Sequence, residues 1–140
     1  MSKSTQSIRV LLVEDNPADA EILSEVLTCQ TLTSFDVEWV ERIRSGEERL
    51  ERHPPIDVAL VDLKLPDADG LEALDRIRNV DPTLPVFVMT GFDDENLANE
   101  SKRRGATGYL VKGKLGSAQL CALLAGAVRD NSKRPAAATG

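Results

Sequence analysis

The sequence predicts an α/β protein built on one parallel sheet with helices on both faces, and two observations predict it. Four short runs, residues 8–13 (IRVLLV), 57–62 (DVALVD), 85–90 (PVFVMT) and 108–112 (GYLVK), are rich in Val and Leu and continuous instead of alternating. Strands covered on both faces read in this way. Helical patterns separate the runs in strict alternation, an order that implies parallel strands joined by right-handed crossovers.

Each element has its own signal. The first run is followed by NPADAEILSEVLTC, where Asn16 is placed as N-cap, Pro17 at the first helical position, and Asp19 and Glu21 in the positive first turn. That helix is expected to bury Ile22, Leu23, Val26 and Leu27. Residues 35–40 (FDVEWV) alternate, which places them as a strand at the edge of the sheet. A short charged helix is expected over residues 45–52. In GLEALDRIRN, from Asp69 onward, Leu71, Leu74 and Ile77 share one face, with Glu72 and Arg76 spaced to pair at i,i+4. Asp93 is placed as the cap of DENLANESKRR, a helix ending at Gly105, whose only sizeable apolar side chain is Leu97, so its anchorage is expected to be weak. The last helix, residues 117–129, carries an apolar stripe of Leu120, Cys121, Leu124 and Val128, extended by Leu123 and Ala127. Its opposite face, Ala118, Ala122, Ala125 and Gly126, is free of charge. That face reads equally as an Ala-rich helix that forms well and as a docking surface, with Gly126 favouring close approach.

A chain of 140 residues suffices for one domain, which buries roughly 68 to 70% of its unfolded surface. The 41% apolar and 29% charged fractions belong to a folded soluble protein, not a disordered or membrane one. No apolar run nears the roughly 18 residues of a membrane span, and MSKSTQSIRV lacks a signal-peptide core, so a cytoplasmic location is expected. The domain is placed at residues 8–130, with a disordered N-terminus at 1–7 and a disordered tail or linker at 131–140; the chain either acts alone or is the first domain of a longer protein. A net charge of −6 repels phosphate backbones, and no basic stripe is present, which argues against direct nucleic-acid binding. Cys29 and Cys121, without CxxC spacing or a nearby His, read as buried reduced thiols. His53 precedes Pro54 and Pro55 and reads as a solvated loop residue.

Function is concentrated at the strand ends. In open sheets of this type ligands bind at the carboxyl ends of the strands, and there the runs deliver Glu14 and Asp15, Asp62, Thr90 and Lys112. Asp62 closes a run of apolar residues, where an unpaired carboxylate would cost several kcal/mol, roughly the penalty for burying any lone charge. Neighbouring carboxylates raise each other's pKa, and a divalent cation relieves that repulsion. Hard oxygen ligands, few in number, fit Mg²⁺ better than Ca²⁺ or Zn²⁺. Lys112 adds a compact positive charge and Thr90 a hydroxyl donor. A carboxylate nucleophile, a metal, a lysine and a hydroxyl together make a site for phosphoryl transfer.

LLVEDNPAD, VALVDLKLPDADG, PVFVMTG and GATGYLVKG, in this order and spacing, resemble the receiver domains of two-component response regulators over about residues 8–129. The resemblance implies a flavodoxin-like (βα)5 three-layer sandwich with strand order 2-1-3-4-5. It implies Asp62 as phosphoacceptor, with Mg²⁺ (or Mn²⁺) held by Asp15, Asp62 and the backbone carbonyl of Lys64, and by Glu14 through a water. Lys112 would hold the phosphoryl group, Thr90 would turn inward to it, and Tyr109 falls on the switch aromatic. Its other reading is a strand aromatic packed against the last helix. The partner implied is a histidine kinase or histidine phosphotransfer protein, and the output surface the fourth helix, fifth strand and fifth helix, which also offers a homodimer interface. The expected role is a phosphoacceptor regulator, not an enzyme acting on other substrates.

This chain departs from the family at Gly113, where most members have Pro after the lysine. A cis bond before a non-proline residue costs about 3 to 4 kcal/mol, so Lys112–Gly113 is expected to be trans. Lys64 and Phe92, each two residues beyond a site residue, flank the approach to the phosphoryl group and are expected to tune its hydrolysis. A receiver-like binding module that is never phosphorylated is the alternative. An aspartyl phosphatase fits poorly, since Lys64 stands where such enzymes place a second Asp.

Overall fold

The computed structural model describes residues 6–28 and 33–132. Five parallel strands, β1 (Gln6–Val13), β2 (Thr33–Val40), β3 (Val58–Asp62), β4 (Val86–Thr90) and β5 (Gly108–Val111), form one sheet in the order β2-β1-β3-β4-β5. Five helices alternate with them: α1 (Pro17–Thr28), α2 (Ile43–Leu50), α3 (Glu72–Val80), α4 (Glu95–Arg103) and α5 (Ser117–Ser132). The predicted fold and strand order are those observed, and the alternating strand is at the edge.

Continuous apolar runs become explicable once side chains are assigned to faces, because successive residues of a strand point to opposite sides. Leu11, Val13, Ala59, Val61, Val86 and Val88 pack with Ile43, Leu74 and Ile77 of α2 and α3. The intervening Ile8, Val10, Leu12, Val58, Leu60, Phe87 and Met89 pack with Leu27 of α1 and Leu120, Cys121 and Leu124 of α5. With both faces covered, the central strands carry no polar residue from Val10 of β1, Val58 of β3 or Val86 of β4 until their carboxyl ends.

Several boundaries and partners differ from expectation. β1 reaches back to Gln6, pairing Gln6 with Thr33 and Ser7 with Ser34, and α5 continues to Ser132; residues 1–5 and 133–140, which make up the remainder of the expected disordered ends, lie outside the described residues, as does Cys29. α2 starts at Ile43 because Asp67 accepts hydrogen bonds from the Ile43 and Arg44 amides, at 3.0 and 3.1 Å. Arg76 bonds Glu47 of α2, at 2.9 and 2.6 Å, in place of Glu72. The cap of α4 is Asp94, whose Oδ1 accepts from the Asn96 and Leu97 amides, and Asp93 is an exposed neighbour of Lys114.

Ile22 is 58% exposed; α1 turns Ala20 and Leu27 inward, with Leu23 and Val26 half-buried. On α5 the buried stripe includes Ala125 and leaves Leu123 exposed, a rotation of the expected face. Among the described residues a Cβ on Gly126 would meet only Arg129 Nη2 at 3.8 Å, so no described element approaches closely there. Gly105 has φ +98°, the left-handed end expected for α4. No described helix is long and apolar enough to cross a membrane.

Candidate functional site

β1 and β3 lie side by side, with Val13 opposite Val61, so their ends deliver acids to one place. The Glu14 amide donates to Val40 O at 3.0 Å, and the Trp39 indole donates to Glu14 O at 2.6 Å. The peptide at the end of β1 is therefore pinned from both directions. Glu14 is fully buried and Asp62 is 4% exposed, whereas Asp15 is exposed. Each of the three offers a carboxylate oxygen within 4.8 Å of the other two.

Lys112 is brought alongside by β5, its amide donating to Thr90 O at 2.8 Å. Its Nζ lies 2.7 Å from Glu14 Oε1, 2.8 Å from Asp62 Oδ2 and 2.9 Å from Asp19 Oδ2. The other oxygen of Asp62 accepts from the Lys64 amide at 2.9 Å, and Glu14 Oε2 accepts from the Asn16 amide at 3.1 Å. Glu14 Oε1 is close enough to Lys112 to form an ion pair, but the contact lacks the alignment of a hydrogen bond.

These neighbours set the protonation states. Burial pushes the Glu14 carboxyl up to about 7, the neighbouring Asp62 carboxylate adds to that, and Lys112 and the Asn16 amide only partly offset it. Burial acts against charge on Lys112 too, but Asp62, Glu14 and Asp19 outweigh it and hold its pKa above the ordinary lysine value. The ammonium is a fixed positive charge.

The residues fit a hard dication. Three carboxylates converge, one buried oxygen among them has no aligned donor, and the donor set is all oxygen, as Mg²⁺ and Mn²⁺ prefer.

A second constellation adjoins the first. Thr90, 6% exposed, accepts from the Phe92 amide at 3.2 Å through Oγ1. The Tyr109 hydroxyl donates to Phe92 O at 2.7 Å and accepts from the Asp94 amide at 3.3 Å. Thr90 and Tyr109 thus hold the same residue from its two ends, and Tyr109 also reaches the cap of α4. The Tyr109 ring packs with the cluster beneath α3, as does Leu97 of α4, whereas the apolar stripe of α5 belongs to the cluster on the other face of the sheet. Phe92, 70% exposed, and the exposed Lys64 stand at the mouth. The Lys112–Gly113 peptide is trans, and Gly113 has φ +83°, so the chain leaves the site through a conformation that glycine adopts without strain.

Of the strand-end residues named from the sequence, Glu14, Asp15, Asp62 and Lys112 converge, while the Thr90 hydroxyl is engaged with the Phe92 amide. Two that sequence reasoning did not place in the site join them. Asp19 read as a first-turn acid of α1; its signal was that α1 begins directly after Glu14 and Asp15, so its first turn overhangs the acids. Trp39 read as an edge-strand residue, and nothing in the alternating pattern marks a bond to the neighbouring strand.

The family model for the response regulator receiver domain matches residues 10–125. Among curated proteins, the virulence transcriptional regulatory protein PhoP of Salmonella typhimurium is 39% identical over 106 residues, which is 75% of this chain and 45% of that protein. The chain spans less than half the length of the first curated relatives it matches. Of solved structures, a CheY-like receiver domain protein from Methanospirillum hungatei superposes with a TM-score of 0.78 at 24% identity, over 93% of this chain and 98% of that one. The Mn²⁺-bound form of response regulator Rcp1 superposes at 0.67 with 26% identity, over 90% and 93%.

Proposed function

We propose, from the premise that the chain belongs to the response regulator receiver domain family, that Asp62 accepts a phosphoryl group from the phosphohistidine of a histidine kinase or histidine phosphotransfer protein. The observation that carries this is the placement of a nearly buried Asp62 between a fixed lysine charge and two further carboxylates. An Asp62 oxygen attacks phosphorus, the P–N bond breaks, and the imidazole leaves with the electron pair, producing an acyl phosphate. Asp15, Asp62 and the Lys64 carbonyl would hold Mg²⁺ or Mn²⁺, with Glu14 acting through a water; Rcp1, as a Mn²⁺-bound form, supports this class of ion. When bound, the dication neutralises charge on the phosphoryl oxygens. Lys112 pairs with the same group from the protein side.

The output follows from the hydrogen bonds around Phe92. Phosphorylation adds up to about two negative charges at neutral pH, and Thr90, which follows the residue paired with Asp62 on the neighbouring strand, would be recruited as a donor. Turning inward takes Oγ1 from the Phe92 amide and frees a loop that Tyr109 ties to the α4 cap. Because α4 buries only Ser101, it is the element that moves at least cost. The surface of α4, β5 and α5 would then bind a downstream protein or a second copy of the chain. Lys64 and Phe92 at the mouth would govern how water reaches the acyl phosphate; loss of label no faster in Lys64→Ala and Phe92→Ala than in wild type removes that part.

The test is incubation with Mg²⁺ and a phosphorylated kinase or a small acyl phosphate. Label that appears on the protein and is absent from Asp62→Asn is expected. Label persisting in Asp62→Asn defeats the assignment.

A further inference from the structure

We propose that Asp19 is a resident competitor for Lys112, holding the ammonium away from the phosphoryl group and so restraining both the loading and the lifetime of phosphorylated Asp62. The inference rests on Asp62 being the acceptor. Lys112 donates hydrogen bonds to Asp62 at 2.8 Å and to Asp19 at 2.9 Å and ion-pairs with Glu14 at 2.7 Å, so three carboxylates enclose its ammonium. A phosphoryl oxygen drawn to that charge must compete with them for its N–H donors. Asp62 cannot leave, since it carries the phosphoryl group, and Glu14 is fully buried on a pinned strand end. Asp19, with 38% of its side chain in water, is the ligand that can be exchanged.

Asp19 is not a loosely placed surface acid. Its own amide donates to Asn16 Oδ1 at 3.1 Å, as does that of Ala18 at 2.9 Å, which fixes the first turn of α1 beside the site. Its charge also lies one lysine ammonium away from the acceptor oxygen. An incoming phosphoryl dianion meets that charge before Lys112 is released, and repulsion opposes both its arrival and its retention. A favourable interaction of Asp19 with the helix dipole exists as well, but such an effect acts on folding and leaves phosphoryl kinetics unchanged.

The experiment compares wild type, Asp19→Asn, Asp19→Glu and Asp62→Asn, loaded with Mg²⁺ and limiting labelled acyl phosphate and then freed of donor. Asp19→Asn is expected to load roughly threefold to tenfold faster at low salt and to lose label correspondingly more slowly, with the gap shrinking at about 1 M salt as charge is screened. Asp19→Glu, which restores the carboxylate, is expected to return toward wild type. The ¹⁵N resonance of the Lys112 ammonium should shift in Asp19→Asn without any phosphorylation, and a melting curve checks that α1 is intact. Wild-type kinetics in Asp19→Asn, or an unmoved Lys112 resonance, overturns the inference while leaving Asp62 as acceptor. Failure of wild type to take label, or label on Asp62→Asn, defeats the underlying reading and the inference with it.

Discussion

Replacing Glu14 with Gln should stabilise the protein at alkaline pH in the absence of divalent cations. Glu14 is fully buried, and its carboxyl is raised from 4.5 to about 7, by burial first and the neighbouring Asp62 carboxylate second. A carboxyl whose folded pKa lies above its unfolded one keeps its contribution in full below about 4.5 and loses it as pH climbs to about 7. At about 1.4 kcal/mol per tenfold change in proton affinity, that interval amounts to about 3 kcal/mol. A domain of this size gains or loses about 2 to 4 °C of Tm per kcal/mol, so roughly 10 °C is at stake.

The assay is urea unfolding of both proteins at pH 5, 6, 7 and 8 in a chelator. Glu14→Gln should gain on wild type steadily between pH 5 and 7 and then hold a constant lead. Mg²⁺ should recover more stability in wild type at pH 8 than at pH 6, because proton and metal compete for the same acids. Trp39, bonded to Glu14 O, provides an intrinsic fluorescence reading of the same titration. A difference between the two proteins that stays flat with pH would refute the reasoning, since it would mean that Glu14 is ionised in the fold at no cost.

Two further outcomes follow, one from an exposed apolar residue and one from a buried charge. Ile22, 58% exposed, borders a cavity of about 350 Å³ that also meets Lys112 and is lined by Leu23, Met89 and Leu110; Ile22→Glu should slow transfer from a protein donor at least tenfold, about what a hot-spot residue contributes, and leave loading from a small acyl phosphate unchanged. Equal slowing with both donors would show that this face does not receive the partner. Arg49, its side chain 6% exposed, pairs with Glu38 and donates to Pro54 O at 2.7 Å, and Arg49 in turn is the main cause holding Glu38 below the ordinary carboxylate range. Glu38→Gln should cost about 1 to 3 kcal/mol at pH 7, toward the lower end because Glu38 retains a third of its side chain in water. That stability is present above about pH 4.5 and lost as pH falls through the lowered folded value, so a gap undiminished near pH 3 contradicts it.

What the sequence disclosed and what it hid divide along a physical line. Strand cores were legible because burial on both faces forbids polar residues, and the strand-end acids were legible because they break that prohibition at the place where open sheets bind ligands. Side-chain partners across elements were not. Glu72 and Arg76 have good i,i+4 spacing, yet Arg76 finds two oxygens of Glu47 on the neighbouring helix, a bidentate geometry that local spacing cannot compete with. Asp93 and Asp94 are equally suited to capping by residue type, and the choice of Asp94 depends on where the loop from Thr90 places the first turn. Ile22 belongs to an apolar helix pattern, but α1 is too narrowly covered to bury that side.

The contrast between helices explains how one fold can hold chemistry still and yet transmit a change. Glu14 and Asp62 stand at the ends of central strands whose flanking residues, among them Val13, Val61 and Leu12, are inaccessible to solvent, and moving them would open the core; Lys112 follows the edge strand β5 and is tied to the central β4 by its amide's bond to Thr90 O. α4 has no buried apolar residue of its own, and it is tied down by Leu97 at the edge of the core, by the Arg104–Asp75 pair, and by the Tyr109 link to its cap. Surface pairs of that kind are worth at most about 1 kcal/mol, so the free energy holding α4 in place is of the same order as one redirected Thr90 hydrogen bond. On the proposed function, a new charge on Asp62 would therefore have little effect on the sheet that positions it and a large one on the helix two strands away, which is the asymmetry a switch requires.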